Sequence, residues 1–193
     1  MDPVFTLQWP EFVLAHRLQL LLPRKEGYSL LVPLLRQEKG IDLAILKKLG
    51  GAHRTVTIQV KASRTYLHPP PKRESTKPTM PFKFETWFHR FEVPEAADFV
   101  LLFGMYAPDT GRTKRVTAKW YQDCTLLFTR QEMSDFMVSC LTRGGKAEHM
   151  FSFGFDEPTK VFLTRGDQTR GLKDYSSHLL DARMDLLRTS LNA

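Results

Sequence analysis

The apolar residues after Pro10 recur every three or four positions, which is the spacing of one face of an α-helix. Proline suits the first turn of a helix and cannot continue one, so the pattern predicts a helix that opens at Pro10 and is ended by Pro23. The predicted inner face begins with one acidic residue, Glu11, and continues with Ala15, Leu18 and Leu22.

Extended hydrophobic patterns follow this helix. Apolar runs at residues 28–33 and 41–46 predict two buried strands, and the LGGAH sequence predicts a turn after the second. Apolar and polar residues alternate through residues 55–61, which predicts a third strand with two unlike faces. The apolar face carries Val56, Ile58 and Val60, and the polar face carries Thr57, Gln59 and Lys61. We expect the second and third strands to pair as a hairpin around residues 49–52.

The second half of the chain contains more strand patterns and two helix patterns. Strands are predicted at 82–91, 98–106 and 124–129, with a hairpin at 149–165. The TRQE sequence at 129–132 fits a capping box, and the apolar stripe after it predicts a helix that Gly144 and Gly145 stop.

A final amphipathic helix is predicted from about Lys173. Its apolar positions are Leu180, Met184, Leu187 and Leu191. This order of elements indicates an α/β or α+β fold with a central mixed β-sheet flanked by helices.

Length and composition fit one compact unit. The chain has 193 residues, 42% of them hydrophobic, so we expect a single domain over residues 1–193. A proline-rich basic stretch at about 66–82 predicts an insertion loop in that domain. The two cysteines, Cys124 and Cys140, lie among apolar residues and are expected to be buried and reduced. No apolar run reaches the length of a membrane span and no signal-peptide pattern is present, so we expect a cytoplasmic protein without a membrane partner.

The charge of the chain indicates an anionic partner. The formal net charge is +7 and the isoelectric point is near 9.5, and clustered Lys and Arg displace counterions from a phosphate backbone. The histidines and cysteines show no zinc-site spacing, and the sequence contains no phosphate-binding loop, dinucleotide fingerprint or G-x-S-x-G elbow. These observations favour nucleic acid over nucleotide cofactors or ester substrates.

Three polar residues on the second and third predicted strands suggest a chemical site. If these strands pair as expected, Asp42, Gln59 and Lys61 meet at one edge of the sheet. A hard cation such as Mg²⁺ prefers oxygen ligands and often takes only one or two carboxylates. Asp42 offers a carboxylate, Gln59 an amide oxygen and Val60 a backbone carbonyl, while Lys61 can orient a water or balance charge on a phosphate. In outline this is a site for phosphodiester hydrolysis that uses Mg²⁺ or Mn²⁺.

The GIDLAIL and TIQVKAS segments that carry these residues resemble the PD-(D/E)XK, or restriction-endonuclease-like, nuclease superfamily. The resemblance covers roughly the first half of the chain and implies a restriction-endonuclease-like core. It implies that Asp42 and Gln59 are metal ligands, that Lys61 is the catalytic lysine, and that Glu11 is the acidic residue of the first helix. Glutamine at position 59 departs from the commoner glutamate or aspartate, and a neutral amide weakens metal binding.

DNA is the expected partner, and basic residues outside the site are expected to contact its phosphates. A homodimer is also possible. The expected contacts are Arg64, Lys72, Arg73, Lys77, Lys83, Arg112, Lys114 and Arg115, and Arg143 with Lys146 forms a further basic cluster. Two alternatives to a nuclease remain open. One is a catalytically inactive nucleic-acid-binding or assembly module with the nuclease fold. The other is an interaction protein with no nucleic-acid role.

Overall fold

The computed structural model describes residues 9–33, 40–67, 82–106, 122–166 and 172–193. The helices are α1 (Trp9–Leu21), α2 (Arg130–Ser139) and α3 (Met184–Asn192). The strands are β1 (Tyr28–Leu31), β2 (Leu43–Leu49), β3 (Ala52–Leu67), β4 (Phe84–His89), β5 (Phe99–Tyr106), β6 (Gln122–Thr129), β7 (Met150–Phe155), β8 (Phe162–Arg165) and β9 (Lys173–Asp174). The described part of the chain is therefore a mixed α+β fold with a large, mainly antiparallel sheet.

Strand β3 organises the sheet because it is 16 residues long and takes part in two groups of strands. Its first half pairs antiparallel with β2, and residues 58–64 pair parallel with β5, so one group has the order β1-β2-β3-β5-β6. Its last residues pair with β4 and continue the second group through β7, β8 and β9. The predicted hairpin of β2 and β3 is confirmed, and both strands are longer than predicted.

Two hydrophobic cores lie on opposite faces of β3 and β5. The first core joins α1 and α3 to the face of the sheet that carries Val56, Ile58 and Val60, as the alternation predicted. The second core joins Val100 and Leu102 of β5 to α2 and to the aromatic residues of β4 and β7. A strand that packs on both faces buries most of its side chains, and these are normally apolar. A polar side chain buried on such a strand is therefore unusual.

The helix ends differ from the predicted ones. The capping box is confirmed, because Thr129 and Glu132 bond reciprocally at the start of α2. Helix α2 ends at Ser139, well before Gly144, because Cys140 leaves the helical conformation with φ −76° and ψ 88°. The last helix does not begin near Lys173. That residue lies in β9, which pairs with β8, and α3 begins only at Met184.

Both cysteines are buried and free, as predicted. Burial in the second core raises the pKa of Cys124 to about 12, and the neighbouring Asp123 adds to the effect. Burial also raises the pKa of Cys140. Because the thiolate is the reactive form, both side chains act as small apolar residues of the core.

Candidate metal and phosphodiester site

Asp42 lies where β2 separates from β3. Pairing between these strands runs from Leu49 opposite Ala52 to Leu43 opposite Ile58, and Asp42 precedes the last pair. The backbone N–H of Asp42 donates to the Ile58 carbonyl at 2.9 Å. The Val60 N–H in turn donates to Oδ2 of the Asp42 carboxylate at 2.7 Å. The carboxylate thus replaces the next backbone carbonyl of the ladder and is fixed beside Val60.

Gln59 and Lys61 flank Val60 and point to the other face of β3. In the parallel ladder Gln59 lies opposite Val100 and Lys61 opposite Leu102, two residues of the second core. The structure therefore brings the Asp42 carboxylate next to the segment that carries both side chains. The adjacency is a structural observation, whereas the catalytic and metal-binding roles of these residues remain predictions.

The side chain of Gln59 is buried in an unusual way. The residue is only 5% exposed, and its amide oxygen, Oε1, has no hydrogen-bond partner. A buried amide oxygen without a donor costs about 1 to 3 kcal/mol relative to a solvated one. An oxygen of this kind is suited to a cation or a water, which would offset that cost.

The ammonium group of Lys61 has an aromatic neighbour. Its Nζ lies 5.0 Å from the centroid of the Phe91 ring, within the range of a cation–π contact. Within the described ranges Lys61 forms no ion pair with an acidic residue. Its positive charge is consequently available to an anionic ligand. Phe91 packs against the second core and comes from the segment after β4, so no local pattern around Lys61 signals this contact.

The oxygen atoms beside Val60 form a chemically consistent set. Oδ1 of Asp42 accepts no hydrogen bond from any residue that the structure describes. Backbone alternation directs the Val60 carbonyl to the same edge as its N–H group, where Asp42 lies. With Gln59 these residues offer one carboxylate, one amide and one backbone oxygen, which suits Mg²⁺ or Mn²⁺. Asp42 is the anionic member of this set, and across the described ranges no three His, Cys, Asp or Glu side chains are grouped.

Glu11 approaches the sheet from the other side. It is 7% exposed and lies on the face of α1 that includes Leu14, Ala15 and Leu18. That face packs on the first core, whereas Gln59 and Lys61 point toward the second. The role of Glu11 as an acidic site residue stays a prediction.

The predicted nucleic-acid contacts fall only in part on described residues. Arg64 is exposed on β3, three residues after Lys61, and Lys83 is exposed just before β4. Arg143 and Lys146 are exposed in the turn before β7. The remaining residues lie outside the described ranges: Lys72, Arg73, Lys77, Arg112, Lys114 and Arg115. Most of the insertion loop predicted at about 66–82 also lies outside them.

The prediction missed a basic group on the β2–β3 hairpin. Lys47 and Lys48 on β2 lie opposite Arg54 and His53 on β3. The sequence signal was present, since KK precedes and HR follows the GG turn.

Comparisons with known proteins found no relative of this chain. No family model, curated protein or solved structure matches it. In the described ranges no helix is both long and apolar enough to cross a membrane. The geometry of the site therefore carries the functional argument by itself.

Proposed function

We propose that this chain is a divalent-metal-dependent nuclease that hydrolyses phosphodiester bonds in DNA, built on a restriction-endonuclease-like core. The observation that carries the proposal is the position of the Asp42 carboxylate against Val60, the residue that follows Gln59, whose buried side-chain oxygen lacks a donor. A structural role explains the bond from Asp42 to Val60. It does not explain the buried amide oxygen of Gln59 without a partner.

The order of elements supports the proposed core. Helix α1 precedes three antiparallel strands, β1 to β3, and β5 then joins β3 in parallel. Asp42 lies beside Val60 where β2 and β3 diverge, and this position supports the resemblance to the D…(E/Q)xK signature. The proposed ligands lie on strands of the sheet, which hold them more rigidly than loops would.

Each residue has a distinct role in the proposed chemistry. Asp42, Gln59 and the Val60 carbonyl would hold Mg²⁺ or Mn²⁺. The bound cation supplies neutralising charge at the scissile phosphate and a lowered pKa for a bound water. Lys61 stabilises negative charge on the phosphate or orients the attacking water, and its contact with Phe91 limits the positions of the ammonium. The neutral Gln59 keeps the site less anionic than one with two carboxylates, so weak metal binding is expected.

A cleavage assay with matched variants tests this proposal. Supercoiled plasmid and linear duplex DNA are incubated with the protein in Mg²⁺ or Mn²⁺. We expect wild-type protein to cut and Lys61→Ala to lose at least about a hundredfold in rate, since the removed charge acts on the reacting phosphate. Lys160→Ala removes one exposed charge elsewhere and is the control. Cleavage by Lys61→Ala at the wild-type rate would contradict the proposal.

A noncatalytic nucleic-acid-binding module is the second candidate. It is favoured by the single carboxylate of the site and by the neutral Gln59. This module would bind DNA with the same affinity in EDTA and in Mn²⁺ and would leave every substrate intact. Detection of metal-dependent cleavage that Lys61→Ala removes would exclude it.

A further inference from the structure

The hairpin of β2 and β3 extends beyond the rest of the sheet. On one side, pairing with β1 reaches only to Tyr28 opposite Lys47. On the other, pairing with β5 begins only at Phe99 opposite Ile58. Residues 48–55 between these limits are all exposed. Residues 48–55 therefore form a two-stranded ribbon that no other described strand joins. Together with Lys47 at its base, we call residues 47–55 the projecting ribbon.

The projecting ribbon carries cations on both faces. Lys47 lies directly opposite Arg54, and Lys48 lies directly opposite His53. Since neighbouring positions point to opposite faces, the pair of Lys47 and Arg54 occupies one face and the other pair the opposite face. Lys47 and Arg54 are like-charged residues directly opposite each other, which destabilises a hairpin, and an anionic ligand would offset this repulsion.

Further cations border the ribbon, and acidic residues are scarce around it. Arg24 and Lys25 lie in the turn before β1, which is tied to the ribbon by the bond from the Lys48 N–H to the Gly27 carbonyl at 2.9 Å. The ribbon contains no acidic residue, and the turn contains one, Glu26. Lys47 donates to the backbone carbonyl of Glu26 and lies over the Tyr28 ring. Among the described residues, the cations of this group form no ion pair.

We propose that the projecting ribbon inserts into the major groove of double-stranded B-form DNA. That groove is about 12 Å wide and admits a two-stranded β-ribbon. Cations on the two faces of an inserted ribbon meet the phosphates of the two DNA strands. The small tip residues Gly50, Gly51 and Ala52 allow close approach to the base edges, and no atom lies within 4 Å of a Cβ added at either glycine. The two faces thus match two walls of phosphate, whereas a flat membrane surface meets one face only.

The ribbon lies at a defined distance from the candidate site. Arg54 and Lys61 are seven positions apart on β3, a span of roughly 23 Å for an extended strand. Because β3 runs without a break from Arg54 to Lys61, the ribbon and the candidate site keep this separation when DNA is bound. The relevance of this separation to cleavage rests on the proposed nuclease function, whereas the groove contact itself does not.

Binding in EDTA tests the groove contact separately from cleavage. The affinity for a labelled DNA duplex of about 24 base pairs is measured by fluorescence anisotropy over a range of salt concentrations. The test variant is Lys48→Ser with Arg54→Ser, and the control is Lys160→Ser with Lys173→Ser, exposed cations near and on β8 and β9. Both variants lose two charges, so a difference between them reports position and not net charge.

We expect the test variant to bind about tenfold more weakly at low salt and its log–log salt slope to fall in magnitude by about 1.8, as for two lost phosphate contacts. The control should stay within about twofold of wild type. An RNA duplex of the same sequence should bind weakly and respond little to the test variant, because the A-form major groove is too narrow for the ribbon. Circular dichroism verifies that both variants fold.

Three outcomes would overturn the groove contact. The first is an equal loss of DNA affinity in the test and control variants. The second is an equal effect of the test variant on the RNA duplex. The third is unchanged DNA affinity in the test variant together with lost binding to phosphatidylserine vesicles. DNA binding through the ribbon by a protein that never cleaves would instead refute the nuclease proposal alone.

Discussion

The Asp42 carboxylate accepts a hydrogen bond of 2.7 Å from the backbone N–H of Val60, the residue between Gln59 and Lys61. This bond closes the ladder where β2 leaves β3, and it uses only one of the two carboxylate oxygens. One oxygen of Asp42 therefore has a structural part, and the other is the one that the proposed metal site would use. Substitutions separate the two, because asparagine keeps an oxygen for the Val60 N–H but removes the negative charge.

Asp42→Ala should destabilise the protein, whereas Asp42→Asn should not. Alanine leaves the Val60 N–H without its partner, which costs about 1 to 2 kcal/mol of unfolding free energy. Asparagine retains the bond, so its unfolding free energy should lie close to wild type. Urea denaturation in EDTA measures both. Equal stability of Asp42→Ala and wild type would show that this bond does not hold the edge of β3.

Gln59→Met should stabilise the protein when no metal is present. Methionine has a similar shape and lacks the amide oxygen that has no partner, so the unfolding free energy in EDTA should rise by about 1 kcal/mol. Wild-type protein should gain stability when Mn²⁺ is added, through mass action, and Gln59→Met should gain much less. Gln19→Met, at an exposed position of α1, is the control. A destabilised Gln59→Met in EDTA would mean that the amide is satisfied in solution.

The capping box of α2 should make stability depend on pH. Hydrogen bonds from Arg183 lower the pKa of Glu132 to about 2, and bonds from Thr129 add to this. Because this value is below the ordinary 4.5, the ionised carboxylate stabilises the fold above about pH 4.5 and this stabilisation is lost as the pH falls toward 2.

Glu132→Gln should therefore lose about 1 to 2 kcal/mol near neutral pH, a range that allows for solvent screening of the partly exposed pair. Its stability should also fall less steeply than that of wild type between pH 4.5 and 2. Glu157→Gln, an exposed residue in the turn after β7, is the control. Thermal unfolding across this pH range measures the difference, and parallel curves for Glu132→Gln and wild type would contradict it.

Gly104→Ala tests the close packing where β3 passes from one group of strands to the other. A Cβ at this position would lie 2.6 Å from Oγ1 of Thr86 and 3.1 Å from Oγ1 of Thr65, and these two hydroxyls are hydrogen-bonded to each other. We expect a loss of about 1 to 3 kcal/mol in chemical denaturation, because the added methyl group would displace these side chains and strain the bond between them. Gly51→Ala, at an open position, should be nearly neutral. Similar effects of the two substitutions would refute this packing.

Local patterns predicted the first half of the fold well. Alternation from Val56 to Lys61 predicted which side chains face the first core, and the glycine turn predicted the hairpin. The adjacency of Asp42 and Val60 followed from the same register. Both inferences need only neighbouring strands, for which the sequence contains the pairing rule.

Features that depend on distant residues could not be predicted in this way. Lys173 lies in a helix-compatible stretch, yet β8 draws it into a strand, and the backbone N–H of Tyr175 then donates to the Val161 carbonyl. The contact between Lys61 and Phe91 joins positions 30 residues apart. The buried state of Gln59 likewise arises from the second core, whose residues come from β4 to β8, α2 and Tyr175. These depend on tertiary packing, which overrides local propensity.

Direct measurement of Mn²⁺ binding tests the central proposal most closely. Calorimetry or electron paramagnetic resonance gives the Mn²⁺ affinity of wild type, Asp42→Asn and Gln59→Glu, three proteins that should share one fold. We expect one site in wild type, its loss in Asp42→Asn, and an affinity at least about tenfold higher in Gln59→Glu, because a second carboxylate strengthens the oxygen set. Mn²⁺ affinities that are the same in all three proteins would contradict a metal site formed by Asp42 and Gln59.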